Sequence, residues 1–141
     1  LTNGRRLKMF KHEYVVKEVT RVVDGDTVDI VLDLGFGLTM KQRCRIAGID
    51  TPEKRTRDLE EKKYGLAATK YAEEWFEANK DKLVVRTKIE GASGKYGRLL
   101  GWFFNDETEV CFNEQIVADG LAWEYDGGTK HKDLSTLRLP E

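Results

Sequence analysis

The residues with chemical potential cluster in one short stretch, Arg45-Ile46-Ala47-Gly48-Ile49-Asp50-Thr51-Pro52-Glu53. A guanidinium, two carboxylates and a hydroxyl stand at the end of an apolar run, where neutral turn residues would be usual. Carboxylates such as Asp50 suit a hard divalent cation, and the Thr51 carbonyl could join them. Arginine suits a phosphate, because its planar fork donates to two oxygens and stays charged. Glu53, stiffened by Pro52, could take a proton from water as a general base. Two residues elsewhere share this chemistry: Asp26, in Asp24-Gly25-Asp26-Thr27, and Arg98, in Gly94-Lys95-Tyr96-Gly97-Arg98. Each has an ordinary explanation when taken alone. A lone acid caps a turn, and a lone strand arginine lays its stem over apolar neighbours.

The elements that must bring these residues together follow from hydrophobic periodicity. Alternation and β-branched residues predict strands over 13–23, 26–33 and 38–49, with Asp24-Gly25 and the Gly35–Gly37 region as turns. Val28, Ile30 and Leu32 share one face, and Asp26 has their parity. The second and third strands form an antiparallel hairpin in which opposed residues sum to about 74. Asp26 then lies opposite the neighbourhood of Gly48, at the same end of the sheet as Asp50. Arg45 and Asp50 have opposite parity in a regular strand, so a shared site requires a bend, and Gly48 is the residue to supply it.

Downstream, residues 54–63 read as a charged loop. Tyr64, Ala68, Tyr71, Ala72, Trp75, Phe76 and Asn79 then mark one helical stripe. Asp58 and Glu61 could cap that helix, and Gly65 allows a later start. Strands follow over 83–89 and 98–104, a short helix over 109–119 stopped by Gly120, an extended segment over 121–125 and a helical turn or two over 129–137. Five short strands with a helix after the third is the element order of the OB-fold. The expected architecture is α+β: a five-stranded OB-fold barrel with about three helices over 13–141, preceded by a disordered or extended segment over 1–12.

Composition sets the outer limits. The chain has 141 residues, 40% hydrophobic and 35% charged, with a net charge of −1. That suffices for one core, and it excludes a generally basic nucleic-acid coat without excluding a nucleic-acid enzyme. No apolar run is long enough for a membrane span, so no membrane role is expected. No signal segment is seen in this chain, which leaves cytoplasm and secretion after processing both open. Cys44 and Cys111 form no CxxC pair and read as buried thiols. His12 and His131 have no partners at catalytic spacing, and no serine or cysteine nucleophile motif is present.

Together the motifs resemble the staphylococcal nuclease (thermonuclease) family. The carrying residues are Asp24-Gly25-Asp26-Thr27, Arg45, Asp50-Thr51-Pro52-Glu53, Tyr64-Gly65, Lys95-Tyr96-Gly97-Arg98, Asn113-Glu114 and Gly120-Leu121-Ala122. The resemblance implies Ca2+-dependent hydrolysis of DNA and RNA by a monomer. It implies Asp26, Asp50 and the Thr51 carbonyl as metal ligands, with Glu53 positioning the attacking water. Arg45 and Arg98 would hold the phosphate. Lys95, Tyr96 and the aromatics Trp123 and Tyr125 would contact substrate. The chain departs from the family in a longer loop at Asp33–Leu38, in Glu90-Gly91-Ala92-Ser93-Gly94 before Lys95, and in a short tail. The alternative is an inactive OB-fold module binding nucleic acid or a protein partner. A degenerate copy should lack at least one of Asp26, Arg45, Asp50, Glu53 and Arg98, and all five are present.

Overall fold

The computed structural model describes residues 12–89, 98–128 and 132–140. Strand β1 (Glu13–Asp24) is long and broken by three bulges, between Val16 and Glu18, Val19 and Arg21, and Val22 and Asp24. Each bulge adds twist, so one strand pairs with β5 (Leu83–Ile89) at its start and with β2 (Thr27–Gly35) over most of its length. β2 turns through Gly35-Phe36-Gly37, all at positive φ, into β3 (Leu38–Ile46). β6 (Leu99–Asn105) lies parallel to β3 and antiparallel to β5. The order β1-β2-β3-β6-β5 closes on itself. This is the expected five-stranded OB-fold barrel.

The helices depart from expectation in number and in bounds. Among the described residues there are two α-helices, α1 (Leu59–Asn79) and α2 (Phe112–Ala118), and two 3-10 turns, Lys80–Lys82 and Leu134–Thr136. The expected third helix is only the second of these turns, capped by Asp133, whose carboxylate accepts from Ser135 N–H. α1 begins before the predicted stripe, because the Asp58 side chain accepts from the Glu60 and Glu61 N–H groups. The charged loop is therefore shorter than 54–63. α2 starts later than residue 109, because Glu109 sits at φ 62, where a right-handed helix cannot pass. Gly120, at φ 82, ends it as predicted.

Inside the barrel, Val28, Ile30, Leu32, Cys44, Ile46, Val85 and Phe103 are buried. α1 contributes Ala68, Ala72 and Phe76, and α2 contributes Phe112 and Ile116. The Phe76 ring lies 5.1 Å from Phe103 and 4.8 Å from Phe112, so one aromatic side chain joins both helices to the sheet. Each such burial is worth roughly 1.5–3 kcal/mol. Asn113 fixes α2 by polar contacts: Nδ2 donates to Ala47 O (2.8 Å) and Gly101 O (2.9 Å), and Oδ1 accepts from Phe103 N–H (3.1 Å). Ala47 immediately follows β3, so this side chain also anchors the chain just before the acidic stretch. Burial raises the Cys44 thiol to about 12, which makes it an inert core residue. Among the described residues, no helix is long and apolar enough to cross a membrane.

Candidate active site

The hairpin brings Asp26 and Asp50 to one rim, in a register two lower than expected. Thr27 opposes Arg45 and Asp33 opposes Thr39, so opposed residues sum to 72. The turn is centred on Phe36 rather than Gly37. A shift of two preserves every face, and Ile46 N–H now donates to Asp26 O at 2.8 Å. Beyond Ile46 the strand breaks. Gly48 has φ 76, the bend the parity argument requires, and β4 (Ile49–Asp50) leaves the barrel to pair with β7 (Trp123–Glu124).

The bend lets Arg45 reach both acids. Its NH1 is 3.3 Å from Asp26 Oδ2, and its NH2 is 3.9 Å from Asp50 Oδ1 and donates to Ile49 O at 3.2 Å. The guanidinium lies 5.8 Å from the centre of the Tyr125 ring. Tyr125 N–H donates to Gly48 O at 2.8 Å, tying the bend to the segment after β7. Asp50 and Thr51 are buried. Thr51 N–H donates to Asp26 Oδ2 at 3.3 Å, and the Thr27 hydroxyl donates to Asp26 Oδ1 at 3.1 Å.

A residue outside the predicted set completes the acid cluster. Asp24 Oδ1 accepts from Asp26 N–H at 3.2 Å. Burial, reinforced by hydrogen bonding to and repulsion from the Asp26 carboxyl, pushes Asp24 up to about 7. Burial also opposes ionisation of Asp26. There the Asp24 carboxyl, Arg45, Thr51 N–H and the Thr27 hydroxyl outweigh it and hold the carboxyl below the usual range. Neighbouring acids driven apart in this way divide the labour, one ionised and one holding a proton near neutrality. The sequence signal for Asp24 was its place in Asp24-Gly25-Asp26, which is equally a turn signal.

Glycines set the distance between this rim and α1. A Cβ on Gly65 would stand 2.6 Å from Glu53 C and Lys54 N, so the backbone of the Glu53 loop rests directly on the helix. Gly65 is thus a point of close approach inside α1, not a boundary. A Cβ on Gly25 would meet Ala68 at 2.8 Å and Thr51 at 2.9 Å. Glu61, expected to complete a capping box, instead accepts from Glu53 N–H at 3.0 Å, while Asp58 N–H donates to Thr56 Oγ1. The Glu53 carboxylate itself projects outward, 54% exposed, with Lys132 Nζ at 3.8 Å.

The remaining predicted residues are placed unequally. Arg98 is exposed and immediately precedes β6. Leu99 pairs with Cys44, so Arg98 and Arg43 each stand one residue before that pairing begins. The Trp123 indole N–H donates to Asp133 O (3.1 Å) and Thr136 Oγ1 (3.0 Å), so this ring anchors the tail. Lys95 and Tyr96 lie outside the described residues. A cleft of about 860 Å³ adjoins the bend, with Gly48, Trp102, Glu114 and Tyr125 among its walls.

The fold and site together are an OB-fold barrel carrying two strand-end acids around an arginine. Residues 43–138 match the family Staphylococcal nuclease homologue, and the chain belongs to that family. The chain is 32% identical over 139 residues to an uncharacterised protein of Methanocaldococcus jannaschii, covering 86% of this chain and 65% of that one. It is 28% identical over 131 residues to protein ParB of Escherichia coli, covering 88% and 65%. It is also 32% identical over 110 residues to the thermonuclease of Staphylococcus intermedius, covering 77% and 57%. The chain thus spans less than two thirds of the length of each of these relatives.

Proposed function

We propose that the chain is a metal-dependent phosphodiesterase that hydrolyses DNA, RNA or both, with Ca2+ as its cation. The observation that supports this best is Arg45 reaching Asp26 and Asp50 across the Gly48 bend, with Glu53 at the end of the same segment. The donor set fits a hard cation: Asp26 and Asp50 carboxylates and the Thr51 carbonyl are all oxygen ligands. Among the described residues, no three His, Cys, Asp or Glu side chains are grouped so as to hold a metal ion. A site of two carboxylates and a carbonyl leaves positions for water and a phosphate oxygen. When bound there, the cation would supply Lewis-acid polarisation of that oxygen.

The chain's own groups do the rest. Arg45 and Arg98 donate to non-bridging phosphate oxygens and stabilise the charge that grows on them. The Glu53 carboxylate accepts a proton from water as its oxygen attacks phosphorus and the bond to the leaving oxygen breaks in line. Its loop is held at a fixed distance by Gly65 and Glu61. Tyr125, beside Arg45, offers a ring face to a base or sugar, and Lys95, Tyr96 and Trp123 are assigned to substrate by resemblance alone.

The deciding experiment incubates the protein with supercoiled plasmid in Ca2+, in Mg2+ and in chelator. Cleavage is expected with Ca2+ and none with chelator. Intact plasmid in excess Ca2+ at neutral and alkaline pH would overturn the enzyme reading in favour of a binding module. Glu53→Ala should lose most cleavage, about 10²–10⁴-fold, while keeping metal and nucleotide binding.

A further inference from the structure

Strand β3 carries a second feature, on the face that turns away from the core. Cys44 and Ile46 point inward, so Lys41, Arg43 and Arg45 share the outer face at every second position. Two strand residues advance about 7 Å. Successive phosphates of an extended single strand recur at a comparable interval. Arg43 and Arg98 each stand one residue before the first parallel pair of β3 and β6, Cys44 and Leu99. Arg43 and Arg45 on β3 and Arg98 just before β6 thus lie at one end of this pairing, in a chain whose net charge is only −1.

Arg43 is already aimed. Its Nε and NH2 donate to the two oxygens of Asp29 at 2.8 and 3.0 Å, and Arg21 lies across from Asp29 on β1. Two guanidinia thus flank one carboxylate, and the Arg43 side chain is 61% exposed. An exposed ion pair of this kind is weak enough to exchange for a phosphate, while Asp29 keeps the guanidinium extended. Among the described residues, β6 covers only Cys44–Ile46 of β3, so the part of the strand bearing Lys41 and Arg43 has an open edge. Edge protection alone would explain charged residues there. It would not explain their alignment with Arg45 and Arg98.

We infer that Lys41 and Arg43 form a track for the backbone of a single-stranded polynucleotide, holding the phosphates that follow the one on Arg45. The inference rests on the phosphodiesterase reading for what happens at Arg45, but its own readout is binding. In a Glu53→Ala background with Ca2+, the affinity for fluorescent oligothymidylates of two, four and eight nucleotides is measured against salt. Adding Lys41→Gln and Arg43→Gln should flatten the octamer's log–log salt slope by about 1.4, two contacts at ~0.7 each. The loss in affinity should grow from dimer to octamer. Lys80→Gln, on the 3-10 turn after α1, should leave the slope in place, with thermal melts confirming that all variants fold. An unchanged octamer slope, a loss equal at every length, or the same loss on a duplex octamer would overturn the track. If plasmid is not cut by the unmodified chain but the slope flattens, the track stands and hydrolysis falls. If plasmid is cut and the slope does not move, the track falls alone.

Discussion

Arg86 and Arg45 are strand arginines of one barrel, and their surroundings are opposite. Arg86 is buried in β5, where Nε meets Glu13 at 2.8 Å and the guanidinium lies 3.9 Å from the Phe104 ring centre. This cation meets Glu13 at short range, with a ring over it. Arg45 faces Asp26 at 3.3 Å and Asp50 at 3.9 Å, with Asp24 behind Asp26. Among the described residues, three acids gather around this one guanidinium, and the two ion-pair contacts are long. A short, matched pair closes a gap in the sheet. A loose cluster of acids around one arginine is what the proposed cation site requires. Asn113 belongs with Arg86, because its amide is spent on holding backbone together.

The largest effects should separate these two arginines. Arg45→Lys keeps a charge but loses the fork, and cleavage should fall about 10²–10³-fold with little change in melting temperature. Arg86→Met should do the reverse. Losing the charge-assisted bond to the partly exposed Glu13 costs roughly 1.5–3 kcal/mol, read by denaturant unfolding, while cleavage by the folded fraction stays near the parent rate. If Arg86→Met abolished cleavage without loss of stability, the division between structural and functional arginine would be wrong.

Gly65→Ala is next in size. Its methyl would drive into the Glu53–Lys54 backbone, and overpacking of that kind costs about 1–3 kcal/mol. The loop carrying Glu53 must lift, so kcat should fall more than the affinity for nucleotide. A variant as active and as stable as the parent would show that the contact between α1 and this loop does not position Glu53.

How far these features could be read in advance depends on how local they are. Alternation in Val28, Ile30 and Leu32 and the glycine-marked hairpin were enough to bring Asp26 and Asp50 to one rim, and the parity of Arg45 against Asp50 required the bend at Gly48. The barrel followed from the order of the strands. The misplaced register came from a turn centred on Phe36 at φ 55, a conformation seldom adopted by an aromatic residue. The bulges of β1 leave no mark beyond Val15-Val16 and Val22-Val23, which break the alternation. Gly65 and Glu61 act across the chain, on Glu53, so their local readings as a helix start and a capping acid were natural and incomplete. The tail's hold on the Trp123 indole is likewise a contact between distant segments.

The smallest effect tests the acid excess itself. Asp24 has a folded pKa of about 7 against an ordinary 3.8, so ionising it is disfavoured in the folded state. Its carboxyl costs nothing below about pH 4, where it is protonated both folded and unfolded. The cost grows as pH rises through that range and is complete above about pH 7. Asp24→Asn removes the cost. In chelator, the variant should therefore gain on the parent as pH rises from 4 to 7, by ~1–2 kcal/mol once partial solvent exposure is allowed for, and then hold a constant lead. Asp26 runs the other way, since its lowered pKa contributes stability above about pH 4 that is lost as pH falls through its folded value. The change in the variant's lead between pH 4 and 7 is thus that of Asp24. Urea midpoints for parent and variant at pH 4, 5.5, 7 and 8 measure it directly. A lead that is the same at every pH would mean that Asp24 titrates folded as it does unfolded, and that the Asp24–Asp26 rim resembles the Arg86–Glu13 pair more than a crowded cluster of acids.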